Sequence, residues 1–296
     1  FTGYRNVPWL AKSHATVMLP SVASLEALRT IKRDTAERHP FTGFGDPYFS
    51  EEQAKKAIQS SAAGTRGTPL ALRSLPKTRK VDKATLGLLP RLPETRDEVL
   101  SIAKTLSANY ERDLHLGWDA NEKNVKSLDL RPYRIVSFAT HGLVPGDLEG
   151  LLQPALALSM PKDPTSKNDG LLSMEEILGL RLNADWVVLS ACNTASGGGK
   201  GAEAVSGLGR AFFYAGTRAL LVSNWPVHSA ATTELMTDLF GRLNKDRSLT
   251  RAEALRQSMN RMIDKSGFAD DKGKMIFSYA HPLFWAPFMV VGDGGA

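Results

Sequence analysis

Cysteine is almost absent from this chain, since Cys192 is the only one among 296 residues. A single cysteine excludes an intrachain disulfide and argues against a structural zinc site, which needs several Cys or His ligands. Apart from His141, the histidines show no metal-ligand spacing. We therefore expect no metal and no other cofactor. A lone thiol also fits a reducing compartment.

Long hydrophobic runs are absent as well. No stretch approaches the roughly 18 apolar residues that suggest a membrane-spanning helix, so we expect no membrane partner. The chain begins with Phe1 rather than Met, and no signal-peptide pattern follows. We therefore expect a fragment of a longer protein, whose targeting signal is not part of this sequence.

Positive charge is unevenly distributed. The net charge is +6, and residues 1–100 hold 16 Lys and Arg against 10 Asp and Glu, whereas the remainder is balanced. Much of the excess lies in Arg66–Lys83, within a basic loop predicted at about residues 62–85. This stretch lacks aromatic residues and is interrupted by Pro and Gly. The composition favours a solvated loop over a nucleic-acid-binding patch, so we do not expect nucleic acid to bind directly.

The order of the predicted elements indicates the fold class. Strand-like and helix-like segments alternate between residues 130 and 244, which predicts a mostly parallel sheet flanked by helices. We predict a catalytic domain over residues 96–296. The N-terminal part, residues 1–95, forms either a small subdomain or an extension of the same sheet.

Two local patterns in the N-terminal half carry specific predictions. Gly43, Gly45 and Pro47 predict that Phe41–Phe49 is a loop followed by a short extended segment. Thr95 and Glu98 match a capping box at the start of a predicted helix, Glu94–Leu106.

A cysteine and a histidine each follow a buried strand. The apolar run that begins at Trp186 predicts a strand buried on both faces, with Cys192 at its carboxyl end. A second strand, Ile135–Ala139, leads into Thr140, His141 and Gly142. Sites in open α/β sheets are built at the carboxyl ends of strands, so neighbouring parallel strands would bring the thiol and the imidazole together.

The pairing of these side chains suits nucleophilic catalysis. A free thiol has a pKa of about 8.5, so a cysteine nucleophile needs a base such as histidine near neutral pH. His141 precedes Cys192 by 51 positions, and the caspase signature places its histidine about 50 residues before its cysteine. The alternative interpretations are a structural imidazole for His141 and a small buried hydrophobe for Cys192.

Five motifs follow one another along the chain. They are Phe138-Ala-Thr-His-Gly-Leu-Val, Asp169-Gly-Leu-Leu, Leu189-Ser-Ala-Cys-Asn-Thr-Ala, Gly207-Leu-Gly-Arg-Ala-Phe-Phe-Tyr-Ala-Gly and His281-Pro-Leu-Phe-Trp-Ala-Pro-Phe. In this order they resemble the CHAT domains, which are bacterial caspase- and separase-like cysteine peptidases often attached to tetratricopeptide repeats. The resemblance covers about Tyr4 to Gly292. It implies a caspase-like three-layer α/β sandwich with a mostly parallel central sheet flanked by helices.

The resemblance implies peptide-bond hydrolysis with His141 and Cys192 as the dyad. Cys192 would attack the scissile carbonyl, and His141 would act as base or as proton donor to the leaving amine. Backbone N–H groups of Gly142 and Cys192 would form the oxyanion hole.

The substrate-binding residues are predicted from the segment after a third strand, Ala219–Ser223. In caspase-like enzymes the equivalent segment pairs with the substrate as an added strand, which makes Asn224 and Trp225 candidates. Trp225 could instead be core packing. Many family members carry an Asp shortly after this segment, where His228 and Ser229 stand here. An acidic pocket for Arg or Lys would then need Asp147, Glu149 or Glu203, and the alternative interpretation of each is a surface carboxylate.

We therefore predict a cysteine endopeptidase acting on a protein or peptide substrate in the bacterial cytoplasm. Upstream tetratricopeptide repeats or other segments would regulate it. A catalytically silent interaction module remains the main alternative, and an acyltransferase using the same dyad is a third.

Overall fold

A computed structural model describes residues 1–30, 38–60, 83–148, 150–165, 167–190, 207–225, 227–270 and 272–295. The chain alternates between strands and helices, as the sequence predicts. In chain order the helices are α1 (Leu10–Ser13), α2 (Val22–Thr30), α3 (Glu51–Ser60), α4 (Glu94–Leu106), α5 (Tyr110–Asp113), α6 (Glu122–Ser127), α7 (Met174–Leu178), α8 (Gly207–Ala215), α9 (Ser229–Lys245) and α10 (Arg251–Lys265).

The strands fall into one large and two small sheets within the described residues. In chain order they are β1 (Val17–Met18), β2 (Thr42–Gly45), β3 (Leu114–Leu116), β4 (Ile135–Ala139), β5 (Gly142–Leu143), β6 (Ala155–Ala157), β7 (Leu171–Ser173), β8 (Trp186–Leu189), β9 (Ala219–Ser223), β10 (Gly267–Ala269), β11 (Met275–Ser278) and β12 (Phe288–Gly292).

The large sheet has seven strands in the order β1-β12-β9-β8-β4-β2-β3. Strands β9, β8, β4, β2 and β3 are mutually parallel, and the antiparallel pair is β12 with β9. The small sheets are the antiparallel β5-β6-β7 and the hairpin β10-β11.

Successive side chains of a strand point to opposite faces, so both faces of the large sheet carry apolar side chains. Trp186 and Val188 of β8 belong to a core that also contains residues of α4, α9 and α10. Val187 and Leu189 belong to a second core with residues of α6, α7 and α8. The predicted three-layer α/β class, with a mostly parallel central sheet flanked by helices, is confirmed.

The interpretation of Phe41–Phe49 is wrong in its order, because the extended residues come first, as β2. A Cβ at Gly43 would lie 2.7 Å from the Phe41 ring and 2.8 Å from Val99, and one at Gly45 would lie 2.9 Å from Val99. The glycines therefore mark the close approach of helix α4 to a strand rather than a loop.

The division of the chain into an N-terminal part, residues 1–95, and a catalytic domain, residues 96–296, stays a prediction. Strands β1 and β2 of the N-terminal part pair with β12 and β4 of the large sheet. The predicted basic loop, at about residues 62–85, lies outside the described residues as far as residue 82.

Within the described part of the chain, no helix combines the length and apolar character needed to cross a bilayer.

Candidate active site

The candidate site lies at the carboxyl edge of the large sheet, where β4 and β8 end side by side. Ile135 pairs with Trp186 and Phe138 with Leu189, so the register between these parallel strands is offset by 51 residues. The backbone N–H of Ser190 continues this pairing by donating to the Phe138 carbonyl oxygen at 3.0 Å. Cys192 comes two residues later and lies outside the described residues.

His141 follows β4 and is fully buried. Its Nε2 atom lies 2.8 Å from the carbonyl oxygen of Pro90. The centroids of the His141 and Phe49 rings are 5.6 Å apart. A carbonyl oxygen only accepts, so Nε2 carries the proton in this contact. In the neutral imidazole, Nδ1 is then the basic nitrogen.

The backbone of His141 and the side chain of Thr140 are anchored to strand β6 of the small β5-β6-β7 sheet. The Ala157 N–H donates to the His141 carbonyl oxygen at 2.9 Å, and the Thr140 hydroxyl donates to the Ala157 carbonyl oxygen. Hydrogen-bonded and non-hydrogen-bonded pairs alternate in antiparallel sheets. Gly142 and Leu156 are therefore a non-hydrogen-bonded pair, and the Gly142 N–H points away from β6, as an oxyanion-hole donor requires.

An aspartate that the sequence interpretation missed lies beside this edge. Asp46 directly follows β2, the strand next to β4, and its side chain is completely buried. Arg91 donates from Nε and Nη2 to its two carboxylate oxygens, both at 2.7 Å. Burial raises the pKa of Asp46 to about 6, against the opposing hydrogen bonds and charge of Arg91. A polar residue directly after a strand is the signal that could have found it, had β2 been recognised.

The segment that carries Pro90 is held on both sides. Gln53 Nε2 donates to the Leu89 carbonyl oxygen at 2.7 Å, and the Thr95 hydroxyl donates to the Leu92 carbonyl oxygen at 2.6 Å. The predicted capping box is wrong at Thr95, because helix α4 has Pro93 as N-cap with no side-chain cap. The hydroxyl instead donates to Leu92 and accepts from the Asp46 N–H at 2.7 Å.

The predicted substrate-binding residues that the structure describes are Asn224, Trp225 and Asp147. The Asn224 side-chain amide donates to the Pro287 carbonyl oxygen at 3.1 Å, which ties the end of β9 to the start of β12. Trp225 is half-buried. Asp147 is also half-buried, and its carboxylate accepts from the Val144 N–H at 2.8 Å. These roles stay predictions.

Two of the remaining candidate residues, Glu149 and Glu203, lie outside the described residues. His228 is the N-cap of α9, where its Nδ1 accepts from the Ala231 N–H at 3.2 Å. Among the residues that the structure describes, no group of three or more His, Cys, Asp or Glu side chains could hold a metal ion.

Comparison with known proteins identifies the family. The family model of the CHAT domain matches residues 3–293. The chain belongs to the CHAT domain family. No curated protein matches this CHAT domain.

Among solved structures, this CHAT domain is similar to the Arg specific cysteine proteinase gingipain R (RGPB), with 12% sequence identity and a TM-score of 0.38. The match covers 68% of this chain and 42% of that chain. The CHAT domain thus spans less than half of the proteinase it matches. A similarity this distant does not carry that protein's activity over to this chain.

Proposed function

We propose that this CHAT domain is a cysteine endopeptidase that cleaves a protein substrate through His141 and Cys192. The observation that carries the proposal is the strand register. The offset between β4 and β8 is 51 residues, and the same number separates His141 from Cys192. Counted from the paired residues Phe138 and Leu189, His141 and Cys192 each come three positions later, at the edge where sites of α/β sheets are built.

The contacts of His141 support a role in proton transfer. With its Nε2 proton donated to Pro90, the neutral ring offers Nδ1 as base. In the proposed reaction His141 Nδ1 takes the proton of the Cys192 thiol, and the resulting thiolate attacks the scissile carbonyl carbon. The backbone N–H groups of Gly142 and Cys192 stabilise the developing oxyanion. Collapse of this intermediate breaks the C–N bond as protonated His141 gives its proton to the amine, and water then hydrolyses the thioester.

Burial of His141 is the observation that favours the alternative function, a catalytically silent interaction module. Its side chain has no exposed surface, and a buried, hydrogen-bonded imidazole is also what a purely structural residue would show. The two functions differ in whether the thiol is activated, so reactivity decides between them.

A thiol-reactive peptide probe tests the proposal, because the chain has a single cysteine and every labelled molecule must carry the label at residue 192. We expect labelling to be lost in Cys192→Ala and strongly slowed in His141→Ala. Labelling of the unfolded protein is the control for a competent probe. Equal labelling rates in wild type and His141→Ala would support the silent module.

The natural substrate and its regulation belong to the same proposal. We propose that segments upstream of the CHAT domain, such as tetratricopeptide repeats, control its activity in the bacterial cytoplasm. Cleavage profiling of a peptide library by the full-length protein, with Cys192→Ala as control, tests for a substrate preference.

A further inference from the structure

We propose that the buried Asp46–Arg91 ion pair is a positioning device that holds the Pro90 carbonyl oxygen against His141 and thereby selects Nδ1 as the basic nitrogen. Its catalytic consequence rests on the proposed peptidase function. Its structural part concerns His141 alone and can be tested on a protein without any activity.

The covalent geometry links the ion pair to the imidazole. The Pro90 carbonyl group and the Arg91 N–H belong to one planar peptide unit, so the direction of the oxygen depends on how Arg91 is held. Arg91 is held by the two-point contact with Asp46, and its guanidinium carbon lies 5.2 Å from the centre of the Tyr48 ring. A planar fork that bonds at two points restricts rotation more than a single ammonium contact would.

The neighbours of Pro90 are bonded in a way that leaves its oxygen facing the imidazole. The carbonyl oxygens of Leu89 and Leu92 accept from Gln53 and Thr95. The Pro90 oxygen, between them, is the acceptor for His141 Nε2. The hydrogen bond from Gln53 connects this segment to helix α3, and the one from Thr95 connects it to helix α4. These two bonds fix the segment relative to the sheet edge.

The backbone of Asp46 is held in an uncommon conformation. Its φ angle is 53°, in the left-handed region that glycine adopts without strain and that aspartate enters more often than most other residues. The surrounding structure maintains this conformation, because the Asp46 N–H donates to the Thr95 hydroxyl and the carboxylate accepts from Arg91 at two points. The backbone and the side chain of Asp46 are thus fixed by separate contacts.

Stability alone does not explain a buried ion pair. The desolvation of two charges commonly offsets their attraction, and replacing such pairs by apolar residues is often neutral or stabilising. A role in orienting the Pro90–Arg91 peptide gives a reason for placing Asp46 and Arg91 beside the candidate site.

The test compares two variants of the pair with a matched control. Asp46→Asn removes the charge and keeps the shape, whereas Arg91→Lys keeps the charge and removes the fork. Arg38→Lys is the control, because Arg38 makes a similar two-point contact with buried Asp185 at 3.1 Å, at the amino edge of the sheet. Each folded variant is labelled with ¹⁵N-histidine, and the ring nitrogen shifts of His141 are measured at about pH 8, where a histidine of ordinary pKa is neutral.

We expect the Nε2–H form of His141 to predominate in wild type and in Arg38→Lys, and the Nδ1–H form to gain population in Asp46→Asn and Arg91→Lys. Where peptide cleavage is measurable, kcat should fall about tenfold or more in these two variants with KM unchanged, because a reacting group is displaced while the groups that bind the substrate stay in place. If either variant fails to fold, Gln53→Ala, which removes the hydrogen bonds to the Leu89 carbonyl oxygen and from the Phe49 N–H, should give a smaller shift in the same direction.

The outcomes separate the two proposals. Unchanged His141 shifts in the folded variants, or an equal change in Arg38→Lys, would overturn the positioning role. A wild-type protein that cleaves no peptide and reacts with no probe would overturn the peptidase function, while the tautomer measurement would still decide the role of Asp46 and Arg91.

Discussion

The Nε2 atom of His141 lies 2.8 Å from the carbonyl oxygen of Pro90, a residue that precedes it by 51 positions. This contact joins the end of the central strand β4 to the segment that leads into helix α4. The consequences for stability, protonation and packing can each be measured.

The first prediction concerns Pro90 itself. Its ring is exposed, so Pro90→Ala should act mainly through the greater freedom of the unfolded chain and lower the free energy of unfolding by about 0.4–1 kcal/mol. The looser peptide should also shift the His141 tautomer population. Pro93→Ala, at another exposed proline, is the control and should change stability by a similar amount without altering His141. Urea denaturation and ¹⁵N shifts measure the two effects.

The second prediction concerns pH and the buried carboxylates Asp46 and Asp185. Burial raises the pKa of Asp46 to about 6, above its ordinary value of 3.8. The folded state therefore binds this proton more tightly than the unfolded state does. The resulting stabilisation is complete below pH 3.8 and is lost as pH rises through about 6.

The opposite sign holds for Asp185. Burial raises the pKa of this group, but hydrogen bonds and charge from Arg134 and Arg38 outweigh burial and leave it below 3.8. Its stabilisation is present above pH 3.8 and is lost as pH falls through the folded pKa. Comparing wild type with Asp46→Asn and with Asp185→Asn by urea denaturation across this range should give opposite pH slopes. Slopes of the same sign would contradict the assignment.

The third prediction concerns the core on the α4 side of the sheet. Ile102 is fully buried on helix α4, so Ile102→Ala should lower the free energy of unfolding by about 2–5 kcal/mol through reduced burial and a residual cavity. Ile58 on helix α3 is 72% exposed. Ile58→Ala is the matched control and should stay within about 0.5 kcal/mol of wild type. Comparable losses in both variants would show that the assigned core is wrong.

The fourth prediction separates backbone strain from steric clash at two glycines. Gly146 has a φ of 98° and no atom within 4 Å of an added Cβ, so Gly146→Ala should lower the free energy of unfolding by about 1–2 kcal/mol through strain. Gly216 has a φ of 110°, and an added Cβ would clash with the Leu182 carbonyl oxygen. Gly216→Ala should therefore be clearly more destabilising, by about 3 kcal/mol or more. Thermal and chemical denaturation would detect the difference, and equal losses would contradict it.

Several elements follow from sequence patterns because their signals are local. Strands β4 and β9 were predicted with the bounds that the structure shows, as was helix α4. Short, mostly apolar runs define the strands, and helical spacing of apolar residues defines α4. The start of helix α7 at Met174 is also locally encoded, because Ser173 and Glu176 form a capping box there.

Other features depend on which segments meet in space. Glycines in β2 suggested a loop, since the sequence does not show that α4 packs on that strand. The hydroxyl of Thr95 has the spacing of a helix cap, yet it accepts from Asp46, 49 positions earlier. A local pattern cannot reveal a contact whose partner is distant in the chain.

The sequence by itself determined the alternating α/β class, the strand that leads to His141 and the 51-residue separation of His141 and Cys192, which is close to that of the caspase signature. These depend on apolar periodicity and on residue type, which neighbouring residues encode. Only the tertiary structure decided that β2 lies beside β4, that Asp46 bonds Arg91 and that Pro90 accepts from His141. Those contacts join residues far apart in the chain, and they form because packing of the sheet and of helix α4 brings them together.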